Sequence, residues 1–229
     1  MQVMVVDDDV VSRLALIDLM SRAGFLDILE FSDGQLAWEY LQTSPTPVLC
    51  CCDVRMPNMS GIELLQLIKQ DKRLADLPFI LVTSGSERDI VKKAITLGVS
   101  NYIVKPFNRD SAIEKLFDVF NKVGKKIAEK PDATILRLSI PSDKLISYYD
   151  AFRAQVDQLI TLVKDSPNTE YSDAIKKQFS ALKKGCLTLG LWHCSKQLEK
   201  LKELDEDQDF IVKYLESVLS ALKYQRSLM

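Results

Sequence analysis

Between Val3 and Phe120, short apolar runs alternate with segments whose apolar residues recur at helical spacing. The runs are Val3–Val6, Asp27–Phe31, Val48–Asp53, Leu77–Ser84 and Asn101–Val104. Each is too short to be a helix, and each is followed by a helical pattern: Val10, Leu14 and Ile17; Leu36, Ala37 and Tyr40; Ile62, Leu65 and Ile68; Ile90, Ala94 and Leu97; then Ile113, Leu116, Phe117 and Phe120. Strands joined through helices must run parallel, because each crossover carries the chain back to the same edge in a right-handed sense. The alternation therefore predicts an α/β fold, a doubly wound five-stranded parallel sheet with helices on both faces. In such a sheet, ligands bind outside the carboxyl ends of the strands.

Those ends collect the unusual side chains. Asp7, Asp8 and Asp9 follow the first run, Asp53 ends the third, Thr83 and Ser84 end the fourth, and Lys105 follows the fifth. After Asp53 the chain reads Val54-Arg55-Met56-Pro57-Asn58-Met59, and Ser60 and Glu63 then have the spacing of a capping box that opens the next helix. Any one of these acids alone is accounted for as a helix cap or a loop carboxylate. Together they form a crowd of oxygens that suits a hard divalent cation such as Mg²⁺. A bound cation with a lysine, a hydroxyl and a nucleophilic carboxylate nearby is equipment for phosphoryl transfer.

Val5-Val6-Asp7-Asp8-Asp9, Asp53 through Gly61, Val82-Thr83 and Lys105-Pro106-Phe107 resemble, in order and spacing, the motifs of the receiver domain of two-component response regulators. The resemblance covers residues 1–123 and implies a flavodoxin-like fold. It implies that Asp53 is the phosphoacceptor for a histidine phosphodonor, and that Asp8, Asp53 and the backbone carbonyl of Arg55 hold Mg²⁺, with Asp7 helping through water. It also implies that Thr83 and Ser84 bind the phosphoryl group, that Lys105 pairs with it, and that Tyr102 turns inward on activation. The expected readout is a changed surface around Ile90, Lys93, Tyr102 and Ile113, and the Lys105-Pro106 bond matches the family's cis peptide.

A rival reading takes Asp7 and Asp9 as the Asp-x-Asp signature of haloacid-dehalogenase-like phosphatases, with Thr83 as their second motif. The order of parts opposes it. Asp53 precedes Thr83, and no acids cluster at a strand end beyond Lys105.

Residues 124–140 read as a linker: the chain is lysine-rich to Lys130, Pro131 breaks any helix, and Thr134–Ile140 has an extended character. Residues 141–229 carry four amphipathic segments, the first capped by Ser142 and ended by Pro167. Their apolar stripes are Leu145, Tyr149, Phe152, Val156, Leu159 and Val163; Tyr171, Ile175, Phe179 and Leu182; Leu187, Leu191, Cys194, Leu198 and Leu201; and Phe210 through Leu222. The prediction is an all-α antiparallel four-helix bundle. Phe179–Gly190 resembles the His-x-Leu-Lys-Gly motif of histidine phosphotransfer domains, with Leu182, Lys183 and Gly190 matching. Ser180 replaces the phosphorylatable histidine and Lys184 stands at a glycine position, so the bundle reads as a degenerate phosphotransfer domain. An unrelated dimerisation or effector bundle is the alternative. The only histidine, His193, matches no acceptor position and reads as a surface or packing residue.

A net charge of -2 gives no electrostatic footprint for nucleic acid. No apolar run approaches the ~20 residues of a membrane span, and the amino terminus lacks the pattern of a signal peptide. With five cysteines, an odd number and no Cys-x-x-Cys pair, the expectation is a cytoplasmic chain with free thiols. Cys186, His193 and Cys194 read as packing residues rather than a zinc site. The expected partners are a histidine kinase or histidine phosphotransfer protein upstream and a protein target downstream, with a homodimer as one form of output. No enzymatic output domain is expected.

Overall fold

The computed structural model describes residues 2–25, 27–85, 88–166, 173–200 and 208–229. The chain divides into two compact units, Met1–Val123 and Gly124–Met229. The first unit runs β1 (Gln2–Val6), α1 (Val10–Arg22), β2 (Asp27–Phe31), α2 (Gly34–Thr43), β3 (Cys50–Asp53), α3 (Gly61–Gln70), β4 (Phe79–Ser84), α4 (Arg88–Thr96), β5 (Asn101–Lys105) and α5 (Arg109–Ile127). All strand pairs are parallel, in the order β2-β1-β3-β4-β5. The chain reverses its direction of winding between β1 and β3, which opens a crevice at their carboxyl ends.

Side chains of successive strand residues alternate between two cores. Val3, Val5, Cys51, Ile80 and Val82 pack with Leu16, Leu19 and Met20 of α1 and Leu116, Val119 and Phe120 of α5. Met4, Val6, Cys50, Cys52, Phe79 and Leu81 pack on the opposite face with Ala37, Leu41, Ile62, Leu65, Ile68 and Ala94. Burial on both faces is why the strands read as continuous apolar runs. The three cysteines of β3 are small core residues whose thiols are pushed far upward by burial.

Several expectations are corrected. In α1 the core stripe is Leu16, Leu19 and Met20, whereas Val10 and Leu14 face solvent and Ile17 is only half-buried. Both stripes have helical spacing, so periodicity could not choose between them. The supposed linker is largely helical: α5 continues to Ile127, and α6 spans Pro131–Leu138. Pro131 begins α6 because the first helical turn needs no N–H from it. Ser142 is the first residue of the next helix, α7 (Ser142–Asp165), whose cap position is Pro141.

The second unit adds α8 (Asp173–Thr188), α9 (Trp192–Lys200) and α10 (Gln208–Ser227), so its described residues are helical throughout apart from short turns. Helix α7 packs on α8 and α10 through Leu145, Tyr149, Phe152, Val156, Leu159 and Val163, all buried. Leu187, expected in the third apolar stripe, instead ends α8 and is exposed, while Leu191, Cys194 and Leu198 are buried. Pro167, Tyr171 and Leu201 lie outside the described residues. Gly190 separates α8 from α9 with a φ of +72°, the left-handed conformation that glycine adopts without steric cost. Its carbonyl accepts from the Glu129 N–H at 3.1 Å, and the Glu129 carboxylate accepts from Thr134 and from the Arg137 guanidinium. Those donors hold Glu129 below the usual carboxylate range, the Arg137 contact contributing most.

Candidate functional site

The carboxyl ends of β1, β3 and β5 deliver Asp7, Asp53 and Lys105 to one point. The Lys105 ammonium lies 2.9 Å from Asp7 Oδ2 and 2.5 Å from Asp53 Oδ1, bridging two nearly inaccessible carboxylates. Asp7 is further fixed by the Ser12 hydroxyl, which donates to Oδ2 at 2.7 Å, and by the Asp9 N–H, which donates to Oδ1 at 3.0 Å. The Arg55 N–H donates to Asp53 Oδ2 at 2.7 Å. Burial lifts the Asp53 carboxyl above its ordinary range, and Lys105 and the Arg55 amide only partly oppose that. Burial also disfavours the Lys105 ammonium, but its hydrogen bonds to Asp53 and Asp7 prevail and its pKa is raised.

The acceptor loop is shaped by close packing. A Cβ at Gly61 would lie 2.1 Å from the Asp53 carbonyl oxygen, so only glycine lets α3 start against β3. The Ser60–Glu63 capping box is present in full. Asn58 adopts φ +59° and donates from its amide to Asp33 Oδ2 at 3.0 Å, while Asp33 also caps α2. Thr83 is buried beside this loop's strand, its hydroxyl donating to the Ser84 carbonyl at 3.0 Å, and Ser84 pairs in register with Lys105. The Lys105-Pro106 peptide is cis. Tyr102, half-buried on β5, is contacted by Lys115 from α5.

The expected residues do not all converge. Asp7, Asp53 and Lys105 meet, but Asp8 is exposed and lines a neighbouring cavity of about 720 Å³ with Arg55, Glu63 and Lys93. Asp9 accepts from the Ser12 N–H at 2.7 Å and serves as the cap of α1. Among the described residues no three His, Cys, Asp or Glu side chains are clustered as metal ligands. The residues missed from sequence are Ser12, Arg13, Asp33 and Lys115. Ser12 and Arg13 follow the acids by one helical turn, a signal that was present; Arg13 donates to the Asp7 carbonyl at 2.6 Å.

In the second unit Ser180 is half-exposed on α8 and donates to the Lys176 carbonyl at 3.2 Å. His193 is a packing residue. It is 3% exposed, its Nε2 lies 3.2 Å from the Cys194 sulfur, and burial pushes its pKa down to about 4. A Cβ on Gly185 would lie 2.2 Å from the Phe152 ring, so that glycine serves helix packing.

A five-stranded parallel sheet in the order β2-β1-β3-β4-β5, with two buried carboxylates bridged by a lysine at its strand ends, is a flavodoxin-like receiver fold. The model of the response regulator receiver domain matches residues 3–117, and the chain belongs to that family. It is 36% identical over 116 residues to the chemotaxis protein CheY1 of Helicobacter pylori, covering 51% of this chain and 94% of that protein. It is 37% identical over 119 residues to the chemotaxis protein CheY homolog of Campylobacter jejuni, covering 52% and 92%. A solved structure of the chemotaxis response regulator CheY4 of Vibrio cholerae aligns at 24% identity with a TM-score of 0.46, covering 52% of this chain and 97% of that one. Receiver domains act in two-component signalling and are not catalytic enzymes; phosphorylation and Mg²⁺ or Mn²⁺ binding at the acidic pocket are general to them. Family membership sets the phosphatase reading aside. Receiver domains interact with histidine kinases or phosphotransfer proteins and with downstream targets. No described helix is long and apolar enough to cross a membrane.

Proposed function

We propose that this chain is a response regulator phosphorylated on Asp53, with output by protein contact through its receiver switch face and its helical domain. The observation that carries the reading is the Asp7–Lys105–Asp53 bridge at the carboxyl edge of a receiver-family sheet. An Asp53 oxygen attacks the phosphorus of a phosphohistidine, the phosphorus–nitrogen bond breaks, and imidazole leaves as an acyl phosphate forms. Lys105, which now neutralises two carboxylates, pairs with the new dianion, and the Thr83 and Ser84 hydroxyls donate to it. Asp8, Asp53 and the Arg55 carbonyl would hold Mg²⁺, with Asp7 acting through water; an all-oxygen donor set with no nitrogen or sulfur ligand suits it. When bound, the cation supplies neutralisation of the transferring phosphoryl oxygens.

Drawing Thr83 to the phosphoryl group leaves room for Tyr102 to turn inward and changes the surface around Ile90, Lys93 and Ile113. Exposed Val10, Val11 and Leu14, next to exposed Asp8 and Asp9, offer the upstream kinase or phosphotransfer protein an apolar contact beside the acceptor. We take residues 1–123 as the receiver and 141–229 as an antiparallel four-helix bundle of the phosphotransfer type without its histidine. That bundle binds a protein partner or a second copy and relays no phosphoryl group. The five thiols fit a cytoplasmic location.

Intact-mass analysis with a small phosphodonor and Mg²⁺ tests the central step. One added phosphoryl group is expected in the wild type and none in Asp53→Asn; an undiminished adduct in that variant refutes the assignment.

A further inference from the structure

The geometry points to Lys115 as the residue that sets how readily Tyr102 turns, a positioning role that rests on the switch reading of Tyr102 given above. Lys115 lies on α5 and reaches back over β5. Its ammonium donates to the Tyr102 carbonyl at 2.9 Å and sits 4.5 Å from the centroid of the same residue's ring. The two contacts differ in what a side-chain rotation does to them. Turning the ring about its Cα–Cβ bond leaves the carbonyl in place, so the cation stays tethered to the backbone while the ring departs from it.

The departure has a direction. Tyr102 pairs with Leu81 in the parallel register and Val104 pairs with Thr83, so the Tyr102 ring and the Thr83 hydroxyl lie on the same face of the sheet. An inward turn carries the ring toward Thr83 and off the ammonium. The ring packs at the border of the core cluster on that face, and the ammonium adds a contact that the turned ring gives up, so the cation becomes a discriminating interaction between the two positions. A cation held over a half-exposed aromatic biases an equilibrium by about two- to fivefold. Lys115 thus favours the resting orientation and raises the degree of phosphorylation needed to turn Tyr102, while making no contact with the acceptor site.

Fluorotyrosine NMR of the full chain tests this, with the Tyr102 resonance assigned by Tyr102→Phe and the receiver titrated with beryllofluoride and Mg²⁺. Lys115→Met, which keeps the apolar stem, and Lys115→Gln, which keeps a donor for the carbonyl without a charge, should both reach half-conversion at about two- to fivefold less beryllofluoride. Lys115→Arg, which returns a cation to the ring, should restore the wild-type midpoint. Equal midpoints in wild type, Lys115→Met and Lys115→Gln, with Tyr102 moving normally, overturn the role of Lys115 alone. A Tyr102 resonance that does not move in the saturated wild type overturns the switch reading, and the inference with it.

Discussion

Gly124→Ala should destabilise the helical unit, yet stabilise it once His193 has been removed. A Cβ at Gly124 would lie 2.3 Å from His193 Cδ2 and 2.7 Å from its Nε2, well inside van der Waals contact. Overpacking of this kind costs about 1–3 kcal/mol. Gly124 also lies in the last turn of α5, where alanine gains up to about 0.5–1 kcal/mol from backbone entropy. In the wild type the clash prevails, for a net loss of up to about 2.5 kcal/mol. In His193→Ala, itself a costly variant of about 2–4 kcal/mol, only the helix gain remains and the sign inverts. Urea denaturation of the four proteins in a Trp38→Phe background, so that Trp192 alone reports, gives the coupling energy, expected at about 1–3 kcal/mol. The same sign for Gly124→Ala in both backgrounds refutes the packing role of His193. The result bears on function, because His193 is the chain's only histidine and a ring sealed against Gly124 cannot meet a phosphodonor.

Three other outcomes are expected. Lys105→Met leaves the Asp7 and Asp53 carboxylates facing each other without their cation, so receiver stability should fall by about 1–3 kcal/mol at neutral pH. That loss should shrink on acidification as Asp53, whose carboxyl burial already lifts above its ordinary range, takes up a proton, which a thermal melt series reads directly. His193 is held near 4 in the folded state against an ordinary 6.5, so the unfolded chain binds the extra proton between those values. Stability of the helical unit should therefore be complete above about pH 6.5 and fall by up to about 3 kcal/mol as pH drops to 4, a slope absent in His193→Gln. Gly190→Ala combines a left-handed φ with a Cβ 2.6 Å from that of Glu129, and should cost about 1–3 kcal/mol in chemical denaturation.

The parallel sheet was legible because buried strands and amphipathic helices leave different periods in the chain, and because every strand end carried a polar mark. Asp7, Asp53 and Lys105 could be placed together for that reason. What failed was anything decided by facing. The α1 sequence offers two apolar stripes, and only docking on β1 selects Leu16, Leu19 and Met20. A proline stops a helix from inside it but opens one from its first residue, and local pattern does not encode which of the two holds at Pro131, where α6 begins. The contacts of Lys115 with Tyr102 and of Asn58 with Asp33 join residues distant along the chain, and no motif spacing announces them.

On the proposed reading, the fate of the phosphoryl group follows from what the helical unit lacks. Relay to a further acceptor needs a group that is nucleophilic at neutral pH and whose phosphorus bond is labile, which imidazole provides. Ser180 stands on α8 with its hydroxyl directed to the Lys176 carbonyl of its own helix, an acceptor that holds the proton's position without being able to remove it. A phosphate ester formed there would also be too stable to pass on to a carboxylate. Lys184 projects from the exposed face where a glycine would let a receiver come close, and Gly185, the next residue, is committed to the Phe152 ring. His193 is neutral and shut inside the unit. A phosphoryl group on Asp53 therefore has two exits, water and the upstream histidine. The strength of the signal is then governed by how long the Asp53 acyl phosphate survives beside Lys105, and the helical unit contributes binding alone. Mixing the Asp53→Asn chain with a phosphorylated receiver should leave it unlabelled; label that persists in Asp53→Asn but is lost in the Asp53→Asn, His193→Ala double variant would show that His193 becomes reachable after all.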